Sequence, residues 1–303
     1  MTRLAWKKAS TQKKQPLSLA QRRKRDDKRR QLLRAGIQIL FLVLAPALFT
    51  SAFTGLKQLF TAIGEGKPLE RNGFVSVLVM LCLFTMLFGR FFCGFACPFG
   101  ALGDLVYSLR TGLEKRLGKK LPRLPKKLVG GLRKLPFVIL TGIVLLCAMG
   151  VYGKLSGWSP WDVFSMLTTW KLRLDGYLPG GALLALILVG MALEPRFFCR
   201  FLCPLGAVFR LLPIFPWAIL KREPENCARG CSACTANCPV SHRLGSEENA
   251  GACIRCDKCI GLCPKQNIEA AVGTRPGHRL LLNAGKAAIL FLLAFLLNGV
   301  RFL

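Results

Sequence analysis

Eight of the fourteen cysteines lie within 37 residues, and their spacing is the most specific chemical signal in the sequence. One run has the pattern C-x-x-C-x-x-C-x-x-x-C-P, and the other has one extra residue between its first two cysteines. The positions are Cys227, Cys231, Cys234 and Cys238, followed by Pro239, and Cys253, Cys256, Cys259 and Cys263, followed by Pro264. Thiolates at this spacing are typical ligands of iron-sulfur clusters.

In two-cluster proteins with this spacing, the fourth cysteine of each run ligates the other cluster. We therefore predict two 4Fe-4S clusters. Their ligands are Cys227, Cys231, Cys234 and Cys263 (quartet A) and Cys253, Cys256, Cys259 and Cys238 (quartet B). Zinc is the main alternative, because cysteine quartets also form closed tetrahedral zinc sites, but zinc ribbons do not usually repeat this ending. Disulfides are disfavoured if the segment lies in a reducing cytosol.

A second group of cysteines belongs to an internal repeat, in which RFFCGFACPFGA at 90–101 matches RFFCRFLCPLGA at 196–207. The cysteines of the two copies are Cys93, Cys97, Cys199 and Cys203 (the membrane thiol site). If each turn is helical, the two thiols of a copy share one face. The four thiols would then converge about a pseudo-twofold axis and bind a further iron or iron-sulfur centre. The alternatives are a reversible dithiol and simple packing of small buried residues.

Other residues near these motifs have simpler interpretations. Arg90 and Arg196 begin the two copies, where they mark a membrane boundary or else lower the pKa of the thiols and offset the negative charge of a cluster. Cys82 and Cys147 stand alone within apolar runs, and we predict that they are packing residues.

The elements that must position these cysteines are membrane helices. Hydrophobic residues make up 52% of the chain, and uncharged runs near 20 residues match the thickness of a bilayer. We predict spans at 35–56, 73–89, 136–153 and 178–193. A fifth run, 281–300, is interrupted by Asn283 and Lys286, so that it either crosses the membrane or lies along its surface.

The predicted fold class is an all-α polytopic membrane protein with four core transmembrane helices, a fifth near residue 300, and a small α+β ferredoxin-like insert with two clusters. The predicted divisions are a basic tail (1–34), a membrane core (35–220), the cluster insert (221–276) and a hydrophobic segment (277–303).

The distribution of Lys and Arg predicts the orientation of these spans. The chain has 44 Lys and Arg against 15 Asp and Glu, a formal charge of +29. Residues 1–34 hold 13 of the cations and residues 90–135 hold 11, whereas 57–72 and 154–177 hold 3 each. The positive-inside rule then places the N-terminus and the cluster insert in the cytoplasm, with the chain in the cytoplasmic membrane. The basic run at 21–30 is interpreted as a topology and lipid signal rather than a nucleic-acid site.

Several cofactors are disfavoured. The only histidines, His242 and His278, lie outside the longest apolar runs, which excludes a haem held by two histidines within the membrane. The sequence contains neither a C-x-x-C-H haem site nor a flavin attachment motif.

Three tryptophans, Trp158, Trp161 and Trp170, flank a segment between two spans. They anchor the chain at the headgroups or form an aromatic pocket for a quinone ring.

With these residues in hand, the chain resembles the membrane-bound polyferredoxins of the NapH and NosR kind, which are quinol-linked 4Fe-4S proteins. The resemblance covers about residues 35–276 and rests on the CGFACP and CRFLCP elements and on the two cysteine runs. It implies a membrane electron conduit between the quinone pool, or a partner flavoprotein or cytochrome, and a reductase or other redox enzyme.

We therefore predict one-electron transfer, with clusters carrying the electrons and no catalytic acid, base or nucleophile. The protein would be the electron-transfer subunit of an oxidoreductase, of the quinol dehydrogenase type. The alternative is an assembly or maturation factor that uses its clusters to reduce a metal or a thiol of a client membrane enzyme.

Overall fold

The computed structural model describes residues 19–68, 72–119, 122, 124–152, 157–168, 176–242, 244, 251–270 and 276–298. The α-helices of these residues are α1 (Leu19–Leu44), α2 (Leu48–Glu65), α3 (Gly73–Phe88), α4 (Pro98–Leu117), α5 (Lys126–Gly131), α6 (Leu135–Ala148), α7 (Pro160–Thr168), α8 (Leu178–Leu193), α9 (Phe197–Phe201), α10 (Pro204–Leu211), α11 (Ala233–Ala236), α12 (Lys258–Leu262) and α13 (Pro276–Asn298). The other elements are a π-helix at Phe92–Ala96, 3-10 turns at Leu132–Lys134 and Pro216–Ala218, and strands β1 (Leu220–Arg222) and β2 (Ile268–Ala270).

The first predicted span, 35–56, is not one straight helix. The chain breaks between α1 and α2, and the two helices meet at an angle of 64°. The break contains Pro46, which has no backbone N–H and disfavours the helical conformation of the residue before it. Helix α1 begins at Leu19 and therefore runs through the predicted boundary between the basic tail and the membrane core.

Apolar helices long enough to cross a membrane are fewer than the sequence predicts. Within the described residues, two stretches qualify by length and composition, Leu128–Ala148 and His278–Leu297, and the bent pair of α1 and α2 can form a third. Helices α3 and α8 are apolar but have only 16 residues each, which is about 24 Å at 1.5 Å per residue, against a core of about 30 Å. The weakest predicted span, 281–300, thus falls largely within one of the two longest apolar stretches.

The helices pack around a set of buried aromatic rings. Helix α2 packs against α3 and α6, α4 packs against α8, and α13 packs against α3 and α1. At the centre, the Phe99 ring lies 4.2 Å from that of Phe198 and 5.5 Å from that of Phe49, measured between centroids. Helix α7 contributes Phe164, whose ring lies 4.7 Å from Phe99. This core brings the two halves of the internal repeat together.

The described residues from β1 to β2, which we call the insert, carry both cysteine runs. Its two ends are joined by the antiparallel pair of β1 and β2, with Leu220 opposite Ala270 and Arg222 opposite Ile268. Helices α11 and α12 contact each other inside the insert. The buried side chains of Leu220, Cys234, Leu244 and Ile268 form its small core. Both cysteine runs are therefore held on short elements between two paired strands.

Candidate functional site

Each copy of the repeat changes helix between its two cysteines. Cys93 lies in the π-helix, whereas Cys97 is the extended N-cap residue of α4, with Pro98 as the first helical residue. In the second copy, Cys199 lies in α9 and Cys203 caps α10 in the same way. Proline suits the first position of a helix because the missing N–H would have had no intrahelical partner. The single helical turn that the sequence predicts for each pair is therefore not formed.

The four thiols of the membrane thiol site lie in one buried region of the core. Burial raises the pKa of the Cys97 thiol well above its ordinary value, and negative charge on Cys199, Cys93 and Cys203 raises it further. Burial and the charges of Cys199 and Cys93 likewise raise the pKa of Cys203. The repeat therefore brings its four cysteines near enough to one another for their charges to interact.

Each thiol also has a nitrogen donor. The backbone N–H of Gly100 donates to Cys97 Sγ at 3.4 Å, and that of Gly206 donates to Cys203 Sγ at 3.2 Å. The guanidinium of Arg90 donates to Cys93 Sγ at 3.7 Å. Its counterpart Arg196 donates to Cys199 Sγ at 3.9 Å. Two helix N-termini and two arginines thus surround the sulfurs with the same pattern in each copy, and these donors offset part of the cost of negative charge on the buried sulfurs.

Each of the two arginines also packs against a glycine of the other copy. A Cβ atom on Gly100 of the first copy would lie 2.3 Å from Arg196 Nη1 of the second copy. A Cβ atom on Gly206 of the second copy would lie 3.1 Å from Arg90 Nη2 of the first. The glycine of the shared motif C-P-x-G is therefore the residue against which the arginine of the opposite copy packs.

A buried charge network supports this arrangement, and no sequence motif predicts it, because its members are ordinary polar and charged residues. Asp104 of α4 accepts hydrogen bonds from Arg196 Nε at 2.9 Å, from Gln38 Nε2 at 2.9 Å and from Arg34 Nη2. Arg34 and Gln38 also donate to the carbonyl oxygen of Gly94, at 3.0 and 3.3 Å. Burial alone would raise the pKa of Asp104, but the two arginines outweigh it and hold the pKa below its ordinary value.

In quartet A, residues from both cysteine runs meet at Asn267. The backbone N–H of Asn267 donates to Cys263 Sγ at 3.3 Å, and its Nδ2 donates to Cys227 Sγ at 3.6 Å. Cys234 lies in α11 and accepts from Arg222 Nη1 at 3.5 Å. Cys231 lies half-buried just before α11. The structure therefore brings Cys263 to the first run, as an exchange of the fourth ligand requires.

In quartet B, Cys238 from the first run lies among the cysteines of the second. Burial raises the pKa of Cys259, and negative charge on Cys253, Cys256 and Cys238 raises it further. Burial also raises the pKa of Cys253, to about 12. Thiols in such surroundings stay protonated unless a metal supplies positive charge, so iron would have to stabilise the four thiolates.

The loop of quartet B is held by helices from both ends of the described chain. Asn283 of α13 donates from Nδ2 to Asp257 Oδ2 at 2.9 Å in a buried position. Gly261 of α12 lies so close to α1 that a Cβ atom there would meet Asp27 Oδ1. Lys286, which interrupts the fifth apolar run, lies 5.5 Å from the centroid of the Phe88 ring.

An apolar slot of about 620 Å³ lies between α6 and α8. Trp158 and Trp161 line one part of it, and Phe197 and Leu202, which neighbour the second pair of cysteines, line another. The Trp161 indole Nε1 is buried and has no hydrogen-bond partner among the described residues. Trp170 lies outside the described residues.

The remaining candidates lie apart from these sites. Cys147 is buried in the membrane core and Cys82 packs partly against it. The backbone N–H of His242 donates to Cys238 Sγ at 3.4 Å, so this histidine contacts quartet B through its main chain. Within the part of the chain that the structure describes, no three or more His, Cys, Asp or Glu side chains form a group that could hold a single metal ion.

Comparison with known proteins places the cysteine elements in a family context. The profile of a family described as a 4Fe-4S binding domain matches residues 73–123 and 178–219, and each segment contains one C-x-x-x-C-P element. No solved structure matches the chain significantly.

Similarity to curated proteins extends over most of the chain. The protein MJ0749 of Methanocaldococcus jannaschii is 30% identical over 245 residues, which are 81% of this chain and 89% of that protein. The methylamine utilization ferredoxin-type protein MauN of Methylobacillus flagellatus is 27% identical over 197 residues, 64% of this chain and 62% of MauN. The regulatory protein NosR of Pseudomonas aeruginosa is 29% identical over 213 residues, which are 64% of this chain but only 28% of NosR.

The duplicated cysteine elements and these similarities agree with the resemblance that the sequence motifs indicate. The chain therefore belongs to the membrane-bound polyferredoxins of the NapH and NosR kind, a family of iron-sulfur electron-transfer proteins.

Proposed function

We propose that the protein passes single electrons between a quinone in the membrane and a redox partner, through the membrane thiol site and two 4Fe-4S clusters. The observation that supports this proposal is that four buried thiols, each with its own nitrogen donor, lie in one core and interact electrostatically. The clusters would supply the one-electron chemistry, and the protein would supply ligands, burial and charge.

A third iron-sulfur centre at the membrane thiol site is part of this proposal. Four buried neutral thiols need no arginines, whereas four thiolates around a cluster leave negative charge that Arg90 and Arg196 would offset. The family profile described as a 4Fe-4S binding domain matches these two elements, which supports the same assignment. Cys93, Cys97, Cys199 and Cys203 would be its ligands.

The proposed orientation places the insert and the basic end of α1 in the cytoplasm. The alternating numbers of Lys and Arg between the apolar runs support this orientation. The membrane thiol site would then lie near the cytoplasmic surface, where the insert can approach it. The redox partner would bind from the same side.

The slot between α6 and α8 is the proposed quinone site. It is apolar, as a quinone ring and its tail require, and it extends from Trp161 to residues next to the second cysteine pair. The buried, unpaired Nε1–H of Trp161 could donate to a quinone carbonyl, because a buried indole N–H normally has a partner.

The first experiment counts iron and acid-labile sulfide per chain in anaerobically purified protein. Two 4Fe-4S clusters contain about eight irons, so an excess over eight indicates a third centre. We expect this excess in the wild type and in the control variant Cys82→Ser/Cys147→Ser. It should vanish when Cys93, Cys97, Cys199 and Cys203 are all changed to serine. About eight irons in all three proteins would contradict the third centre.

The second experiment measures reduction of the clusters by duroquinol, a water-soluble quinol, in proteoliposomes. Trp161→Phe keeps an aromatic ring but removes the N–H, so the apparent KM for the quinol should rise. The matched control Trp217→Phe changes a tryptophan that is 46% exposed and lies outside the slot, and it should leave the KM unchanged. Quinol that fails to reduce the wild-type clusters would favour the alternative role in maturation of a client enzyme.

A further inference from the structure

We infer that the two clusters of the insert act in a fixed order, with quartet B next to the membrane thiol site and quartet A facing the redox partner. This inference rests on the proposed electron-transfer function and adds the route within it. It also makes Gly94 one of the contacts between the membrane core and the insert on which electron transfer depends.

A single arginine joins the membrane thiol site to the loop of quartet B. Arg90 Nη2 donates to Cys93 Sγ at 3.7 Å, while its Nη1 donates to the carbonyl oxygen of Gly251 at 3.1 Å. Gly251 precedes Cys253 by two residues. One guanidinium group therefore contacts a sulfur of the first site and the backbone that carries a ligand of the second.

The peptide of Gly94, between Cys93 and Cys97, lies directly against the same loop. A Cβ atom at Gly94 would lie 2.2 Å from the carbonyl oxygen of Ile254 and 3.4 Å from the backbone nitrogen of Cys256. Only glycine permits this approach. In the other copy the corresponding residue is Arg200, which interacts electrostatically with Cys238 of quartet B. Both copies of the repeat therefore face quartet B, one through backbone and one through a cation.

Packing separates the two quartets in the same way. Cys238 and Cys256 of quartet B, together with Ile254, pack into the large core that contains all four cysteines of the membrane thiol site. Cys234 of quartet A is buried in the small core of the insert, against which Cys263 of quartet A and Cys253 and Cys259 of quartet B also pack. Quartet B thus borders both cores, whereas the described cysteines of quartet A pack only in or against the small one. The donors to quartet A sulfurs, Arg222 and Asn267, both belong to the insert.

The surface around quartet A is open to a partner. Its chain neighbours Glu225, Arg229 and Lys265 are exposed, and Cys227 and Cys231 are only half-buried. In each transfer between the clusters, the reduced cluster of quartet B loses one electron and the oxidised cluster of quartet A gains it. Electrons that flow from the partner towards the membrane take the same route in reverse.

The first test of the order of the two clusters uses a chemical reductant instead of a quinol or a redox partner. Both test variants are made in the full-length protein with Cys93, Cys97, Cys199 and Cys203 changed to serine, which removes the proposed third centre. On this background, Cys259→Ala leaves only the cluster of quartet A, and Cys231→Ala leaves only that of quartet B. Each variant is reduced with dithionite, and its electron paramagnetic resonance signal is recorded with a soluble dysprosium chelate as a relaxation probe. We expect several-fold stronger relaxation for the cluster of quartet A. Equal relaxation, or stronger relaxation for quartet B, would overturn the order.

A second measurement tests the contact at Gly94. Gly94→Ala should push the loop of quartet B away and slow the reduction of both clusters by duroquinol several-fold, while dithionite still reduces both fully. The control Gly112→Ala adds the same methyl group to α4, where no atom lies within 4 Å, and should keep the wild-type rate. A wild-type rate in Gly94→Ala would contradict the role of this contact.

The two tests separate this inference from the proposed function. If duroquinol reduces neither cluster in the wild type, quinol donation is wrong, and the dysprosium measurement still decides the order of the clusters. If quinol reduction is fast but Cys259→Ala in the otherwise wild-type protein leaves quartet A reducible by quinol at the wild-type rate, the conduit stands and the order is wrong.

Discussion

Asp104 lies between the guanidinium groups of Arg34 and Arg196, whose side chains are only 4% and 1% exposed. Asp104→Asn keeps the shape of the side chain but leaves two buried cations without a counter-charge. Removal of one member of a buried ionic group typically costs about 3–5 kcal/mol. We therefore expect a clear loss of thermal stability, measured by unfolding of the iron-loaded protein in detergent.

The control and the pH dependence make this prediction specific. Glu65→Gln removes a partner of the exposed Lys67 and should leave the unfolding midpoint unchanged. Because the pKa of Asp104 is lowered in the folded protein, its contribution is present above the ordinary carboxyl range and is lost only as the pH falls below it. The difference between wild type and Asp104→Asn should thus stay constant between about pH 6 and about pH 8. A difference that disappears within this interval would contradict the ionic role.

Glycines of α4 and α10 give a graded test of the contact between the two copies. Gly100→Ala would place a methyl group 2.3 Å from Arg196 Nη1, whereas at Gly206 the distance to Arg90 Nη2 is 3.1 Å. We expect a large loss of stability for Gly100→Ala and a smaller one for Gly206→Ala. Gly112→Ala meets no atom and should stabilise the protein by about 0.5–1 kcal/mol through helix propensity. Thermal unfolding of the three variants checks the order.

Among the helices, α13 connects the membrane to the insert. Asn283→Ala removes the buried hydrogen bond to Asp257 and leaves that carboxylate without this donor, which costs about 1–3 kcal/mol. We expect faster hydrogen exchange in residues 251–262 and earlier loss of the quartet B cluster on heating. Leu281→Ala, at a side chain that is 72% exposed on the same helix, serves as the control. Equal hydrogen exchange in Asn283→Ala and Leu281→Ala would contradict this role of the hydrogen bond between Asn283 and Asp257.

The sequence predicts elements well where one local signal dominates. The apolar runs at 73–89 and 178–193 correspond closely to α3 and α8, because a helix in an apolar environment needs little beyond hydrophobic side chains. The hydropathy of the run at 35–56 does not predict the bend at Pro46, because hydropathy takes no account of the backbone N–H that proline lacks. The sequence does not predict helix α7. Its inward face packs on Phe99 and Phe198, and these contacts between residues distant in the chain cannot be inferred from local sequence.

For the whole molecule, the proposed orientation predicts the sides of two reporter positions. Alkaline phosphatase folds only outside the cytoplasm, so its fusion after residue 303 should be active and its fusion after residue 270 inactive. The reason is that α13, which follows the insert, contains a stretch long and apolar enough to cross the bilayer. Green fluorescent protein fused at the same positions provides the reciprocal control. An inactive phosphatase after residue 303 would indicate that α13 lies along the surface.

Much of the candidate site could be predicted from the sequence, because ligand spacing is a local property. The motifs single out all twelve cysteines that we propose as ligands of the three sites. The roles of Arg34, Gln38 and Asp104 could not be, since each is an ordinary polar residue until folding brings them to Gly94 and Arg196. The contact of Gly94 with Ile254 was also invisible, because the two residues lie 160 positions apart in the chain.

The hydrogen bond from Asn283 of α13 to Asp257 in the quartet B loop also has a consequence for the order of events during biosynthesis. Cys263, the last of the cluster ligands, is made 35 residues before Asn298 at the end of α13. At about 5–20 residues per second, the ribosome needs roughly two to seven seconds for that stretch. Asn283 cannot hold Asp257 until this stretch has been made and has left the ribosome. We therefore expect the loop of quartet B to accept its cluster most readily before α13 packs against it.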